Sequence, residues 1–110
     1  MGYLGEFEQL ILFSVLQLGD EAYGVSIREM IEDRTGRSVS TGAIYTALGR
    51  LETRGMVASR TAPPEPGKPG RPKKYYRLRQ EGARALKDAY SRIQAIAGSA
   101  LPALIELAES

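Results

Sequence analysis

At 110 residues, with 43% hydrophobic and 25% charged side chains, the chain has room for one small domain and is too apolar for a disordered segment. It holds no cysteine and no histidine, which excludes disulfide and thiol chemistry and removes the commonest metal ligand and general base. The net charge of +2 hides an asymmetry: residues 1–33 carry one basic and seven acidic side chains, residues 34–79 eleven basic and two acidic, and residues 80–110 nearly balance. A basic middle block between acidic or neutral ends suggests one face built for a polyanion.

Leu4 to Leu18 reads as a helix with two apolar faces. Leu4, Phe7, Ile11, Val15 and Leu18 recur at helical spacing, while Leu12, Phe13 and Leu16 fill much of the remaining surface. In so small a domain the second face is expected to be covered by another subunit, with Leu4, Phe7, Leu12, Phe13 and Leu16 at the interface. The apolar stretch is too short to span a bilayer and has no basic flank, so neither a membrane span nor a signal peptide is expected, and the protein is read as cytoplasmic. Gly19 and Asp20 end the helix.

A second helix is predicted over about residues 24–35, with Gly36 as its cap in the left-handed conformation. Ser40 then caps a third helix, whose buried stripe is Ile44, Ala47, Leu48 and Leu51. Its other face carries Gly42, Thr46, Gly49 and Thr53, with Tyr45 and Arg50 at the edges. Side chains this small and polar let a helix sit deep against another surface. Gly55 ends it.

Residues 56–61 and 74–78 read as two short strands. Between them Ala62 to Lys73 contains five prolines and two glycines, so neither a helix nor a central strand runs through it. Lys68, Arg71, Lys73 and Lys74 crowd the returning limb of this stiff, basic loop. A last helix begins near Gln80. Leu86, Tyr90, Ile93, Ala97, Ala100, Leu104 and Leu107 alternate steps of four and three, the spacing of a coiled-coil seam, with a kink or restart expected at Gly98–Pro102.

This order predicts a mainly α fold with a small β-hairpin: a winged helix-turn-helix over residues 1–79 and a C-terminal dimerisation helix over residues 80–110, packing with helix 1. The third helix would enter a major groove about 12 Å wide. Arg50 is the leading candidate for a guanine or phosphate contact, and Tyr45 and Thr46 for a thymine methyl or a phosphate. Ser40, Thr41 and Gly42 at the first turn suit a phosphate oxygen. Lys68, Arg71, Lys73 and Lys74 would meet phosphates without selecting a sequence. The expected partners are double-stranded DNA and a second copy of the chain. No cofactor or metal is expected.

The chain resembles the PadR family of bacterial transcriptional regulators over about residues 4–85. Ala22-Tyr23-Gly24-Val25-Ser26-Ile27 is similar to the family's segment entering helix 2. Ser40 to Leu48, then Arg50-Leu51-Glu52 and Gly55-Met56-Val57, are similar to its recognition-helix motif, and Gly70 to Leu78 to its wing motif. The resemblance implies a homodimer, usually a repressor, joined through its first and last helices; the two-fold symmetry of such a dimer would present its third helices to a palindromic operator. It also implies that Tyr45 and its neighbours contact DNA together with the basic wing, and that a small hydrophobic or aromatic effector can release it.

Three departures stand out. Arg79 occupies the place of a usual Thr or Ser cap, Tyr23-Gly24-Val25 replaces a common His-Gly-Tyr, and there is no tryptophan. Phe7, Phe13 and Tyr90 read as core side chains or as the lining of an interface pocket. The alternative function is a winged-helix module that binds proteins without reading DNA; it predicts an apolar or acidic third-helix face. A general DNA-coating protein would favour uniform lysine coverage of that helix. An enzyme has only Glu29 with Asp33, or Glu81 with Asp88, which solvated charge explains.

Overall fold

The computed structural model describes residues 3–64, 66, 67 and 70–110. Its elements run α1 (Glu6–Leu18), a 3-10 turn (Gly19–Glu21), α2 (Gly24–Thr35), α3 (Thr41–Thr53), β1 (Val57–Ala62), β2 (Lys73–Leu78), α4 (Gln80–Ala97) and α5 (Leu101–Ala108). This is a mainly helical winged helix-turn-helix with a two-stranded antiparallel hairpin.

The helix boundaries follow local chemistry. Glu8 reaches back to accept the Gly5 N–H at 3.1 Å, closing the start of α1, and Gly19 ends that helix at φ 58°. At the start of α2 the Ser26 hydroxyl accepts the Tyr23 N–H at 3.0 Å. Gly36 closes that helix at φ 72°, in the left-handed region only glycine enters at little cost. α4 starts without such help: Arg79 has the extended backbone of a cap (φ −90°, ψ 165°) but no side-chain bond to the first turn. Replacing Arg79 by Ser, whose oxygen can accept a first-turn amide, should therefore raise stability by about 1 kcal/mol. Urea unfolding at fixed protein concentration tests this, and an unchanged midpoint would refute it.

The core gathers Ile11, Leu12 and Val15 of α1, Ile27 and Ile31 of α2, Ile44, Leu48 and Leu51 of α3, Val57 and Tyr76 of the hairpin and Leu86 of α4. Three side chains expected at a subunit interface belong to this core instead. Leu4 is 5%, Leu12 0% and Leu86 3% exposed within the single chain, because α2, α3 and α4 close around α1 on both sides. The helix has two apolar faces; on the second, Leu12 is buried within the chain, Phe13 is half-buried against Tyr90 of α4, and Leu16 stays exposed.

The hairpin pairs Val57 with Leu78 through Ala62 with Lys73. A third strand is reduced to one bridge, Tyr23 to Tyr75, with the Tyr76 N–H donating to the Ala22 carbonyl at 2.8 Å. That contact anchors the hairpin to the start of α2.

The C-terminal segment is two helices rather than one. Gly98 stops α4 at φ 52°, and Pro102 sits in the first turn of α5, where its missing N–H costs nothing. No described residue after Ala89 is buried, and the radius of gyration, 16.3 Å, exceeds the roughly 13 Å of a compact chain of about 100 residues. The end of α4 and all of α5 project from the core. Among the described residues, no helix is long and apolar enough to cross a membrane.

Candidate nucleic-acid interface

α3 divides its residues by face. Ile44, Ala47, Leu48 and Leu51 are buried, while Thr41, Gly42, Tyr45, Thr46, Gly49, Arg50 and Thr53 are exposed. The Ser40 oxygen accepts the Ala43 N–H at 3.0 Å, so the helix start is rigid and the Ser40 O–H remains free to donate outward. The first-turn amides of Thr41 and Gly42 precede the first intrahelical bond and point from the same end. Among the described residues, no carboxylate stands within ion-pair distance of Arg50.

Tyr45 is 42% exposed, with its ring divided between solvent and a seat on α2. A Cβ built on Gly24 would collide with the Tyr45 ring and hydroxyl. The Ala-Tyr-Gly segment before α2 and the Ile-Tyr-Thr segment of α3 are thus two halves of one contact, and Gly24 is the residue that admits the phenol. Tyr76 lies behind. Burial first, then the charge of Glu52 and the neighbouring Tyr45 phenol, raise its hydroxyl above the usual tyrosine range.

The hairpin separates side chains that the sequence places together. Lys73 and Lys74 are neighbours in β2 and therefore point to opposite faces. Lys73 stands 4.6 Å from the Tyr23 ring centre, on the outer face, while Lys74 turns inward with its Nζ 3.5 Å from Glu52 Oε1 of α3. On the outer face Tyr75 packs edge-on against Tyr23, ring centres 5.4 Å apart, and the Arg60 guanidinium lies 4.7 Å from the Tyr75 centre. Arg60, Tyr75, Tyr23 and Lys73 form one cation–aromatic ladder. Sequence reasoning missed Arg60 because its face depends on a strand register that a ten-residue loop does not specify. Arg71 is exposed, and Lys68 lies outside the described residues.

The charge block is smaller in space than in sequence. Arg37 meets Glu6 at 3.4 Å and Arg54 meets Glu8 at 3.1 Å, so acidic residues of the N-terminal segment offset part of it. Arg37 also lies 5.0 Å from the Phe7 ring centre, which covers that side chain. Phe13 and Tyr90 do share a hollow. With their ring centres 5.8 Å apart, they line an apolar recess of about 230 Å³ with Leu16, Leu78, Ala83, Leu86 and Lys87. Among the described residues, no group of acidic side chains is disposed to hold a metal.

The sequence model of the transcriptional regulator PadR-like family matches residues 12–88, which span the core, α3 and the hairpin just described. The chain belongs to this family. Among solved structures, a PadR family transcription regulator from a hypervirulent Clostridium difficile is 25% identical, with a TM-score of 0.72 over 91% of this chain and 99% of the other. One from Eggerthella lenta is 27% identical, with a TM-score of 0.63 over 90% of this chain and 86% of the other. Bacillus subtilis PadR, solved in complex with operator DNA, shares the fold at 24% identity and a TM-score of 0.65, over 76% of this chain and 46% of that one. No curated protein matches the chain in sequence. Membership of a family of transcriptional regulators makes this PadR-like chain a DNA-binding regulator in class.

Proposed function

We propose that this PadR-like regulator reads a palindromic operator as a homodimer and represses transcription. The observation that carries the reading is the uncovered face of α3: Gly42, Thr46, Gly49 and Arg50 are all exposed, although Ile44, Ala47, Leu48 and Leu51 on the opposite face are buried. A face of small and polar side chains fits within a groove, with Arg50 reaching a base edge and Tyr45 and Thr46 lying at its walls. Ser40, Thr41 and Gly42 hold a backbone phosphate at the helix start. Arg71 and Lys73 take phosphates on the flank, and the same role is assigned to Lys68 from its place in the sequence alone. Lys74 contributes through its pairing with Glu52 more than through a free charge.

The dimer reading rests on seven large apolar side chains beyond Ala89: Tyr90, Ile93, Ile96, Leu101, Leu104, Ile105 and Leu107, each at least half exposed. Phe13 and Leu16 of α1 continue that face, and Ala97 and Ala100 let helices approach closely across it. Residues 80–110 would then serve as the dimerisation segment, setting two α3 helices roughly 34 Å apart on successive major grooves. The recess beside Phe13 and Tyr90 is below the roughly 300 Å³ of an ordinary ligand pocket, so a small aromatic effector would need a wall from the partner as well.

Fluorescence anisotropy against the DNA upstream of the protein's own gene, beside a scrambled duplex across a salt series, tests the reading. At least about hundredfold preference is expected, a threshold that the roughly thousandfold or greater preference of specific regulators clears. Equal binding to both would remove the operator reading. Replacing Arg71 and Lys73 together by Ala should weaken both duplexes alike and flatten the salt slope by about two units. A loss confined to the upstream duplex would mean that the wing reads sequence.

A further inference from the structure

Glu52, in the last turn of α3, bonds to both strands of the hairpin. Its Oε2 accepts the Ser59 hydroxyl of β1 at 2.7 Å, and its Oε1 faces Lys74 of β2 at 3.5 Å. Ser59 pairs with Tyr76 and Thr61 with Lys74 across the ladder, so these side chains share the hairpin face turned toward α3. On the outer face the ladder of Arg60, Tyr75, Tyr23 and Lys73 ties the same hairpin to the start of α2. The hairpin base is braced from two sides, and on the inner side one carboxylate adds polar contacts to the buried packing of Val57 and Tyr76. The Ser59 hydroxyl foremost, then Lys74, outweigh the opposing effect of burial and hold that carboxyl below the usual carboxylate range.

A carboxylate here has a cost for a DNA-binding surface, because it repels phosphate and neutralises Lys74. Its geometry offers a compensating role. We propose that Glu52 is a positioning residue for sequence discrimination: by holding Ser59 and Lys74 it sets the angle between α3 and the wing. Groove reading by α3 and phosphate contacts by the wing then coincide at one register on the DNA. A loose wing would still find phosphates, which occur at every register, but would no longer reinforce the register at which α3 reads bases. The inference rests on the DNA-reading function proposed above.

The experiment compares wild type, Glu52→Ala, Glu52→Gln and Ser59→Ala on two duplexes. One is the tightest binder selected from a random pool, the other a scrambled control. Glu52→Ala should lower the ratio of specific to non-specific affinity about tenfold, the worth of a hydrogen bond to a charged group. Its affinity for the scrambled duplex should stay equal or rise, because a negative charge has gone. Glu52→Gln still accepts the Ser59 hydroxyl and should retain most of the ratio, whereas Ser59→Ala should lose it with the charge intact.

Equal ratios in wild type, Glu52→Ala and Ser59→Ala would overturn the proposal. So would parallel loss of both affinities with a lower melting temperature, since that marks a residue that only holds the fold. If Glu52→Ala does not fold, Ser59→Ala decides alone, a retained ratio overturning the proposal. A wild type that fails to discriminate at all would defeat the DNA-reading function itself, and with it the ground for this inference.

Discussion

Gly82→Ala should destabilise the protein by about 3 kcal/mol, the upper end of the usual overpacking cost. Gly82 lies in the first turn of α4, buried against the chain segment that leads into β1. A Cβ there would overlap the Met56 carbonyl oxygen and stand 2.9 Å from Leu78 Cδ1. Leu78 can rotate away; the carbonyl cannot, because it already accepts the Arg79 N–H at 2.9 Å and is fixed by the residues on either side. One effect acts the other way: alanine is the better helix former by about 1 kcal/mol, mainly because it leaves the unfolded chain less entropy to lose. The clash prevails, since relieving it means lifting α4 from the hairpin and withdrawing Leu86 and Ala89 from their buried positions. Thermal unfolding at one protein concentration should show a fall on the order of 10 °C or more. A rise in melting temperature would show that α4 is not seated on Met56 as described.

Arg50→Ala should weaken binding to the selected operator by roughly ten- to a hundredfold, the range of a lost bidentate contact to guanine. Binding to a scrambled duplex should weaken only about threefold, because there the guanidinium acts as one phosphate-directed charge among several. The prediction follows from position. Arg50 sits on the exposed face of α3 with no described carboxylate in reach, unlike Arg37, Arg54 and Lys74, which meet Glu6, Glu8 and Glu52. Arg50→Lys separates charge from shape: it should restore the scrambled affinity and leave the operator affinity low, since an ammonium lacks the planar fork. Undiminished discrimination by Arg50→Ala would place the reading contacts elsewhere on α3.

Much of the candidate site was legible in the sequence because it is built from local rules. A serine followed by a small-residue turn and a stripe at three- and four-residue spacing specifies the start and burial of α3, and Ser40, Ile44, Leu48 and Leu51 occupy those places. Gly36 and Gly98 mark helix ends through left-handed backbone that a side chain would oppose. The two strands were legible as well, within one residue at their boundaries, since prolines confine them on the loop side.

What sequence reading misplaced depends on distance in the chain. Leu4, Leu12 and Leu86 carry the same apolar signal whether their own chain or a second copy covers them. Periodicity reports that a face is covered and never by what. Lys73 and Lys74 look like one patch until pairing with Ala62 and Thr61 sends them to opposite faces. The basic block of residues 34–79 looked wholly available until α1 brought Glu6 and Glu8 beside Arg37 and Arg54.

By itself, then, the sequence determined the elements, their caps and the buried stripe of each helix, because hydrogen-bond capping, glycine backbone freedom and apolar period act within a few residues. Only the tertiary structure decided the seating of Tyr45 on Gly24, of α4 on Met56 through Gly82, and of the wing on Glu52. Each of these joins groups at least 21 residues apart or on opposite sides of a loop, except Glu52 with Ser59, whose meeting needs the turn at Gly55. Contacts of that kind arise from strand register and helix packing, which place side chains by the fold as a whole and leave no local periodic trace.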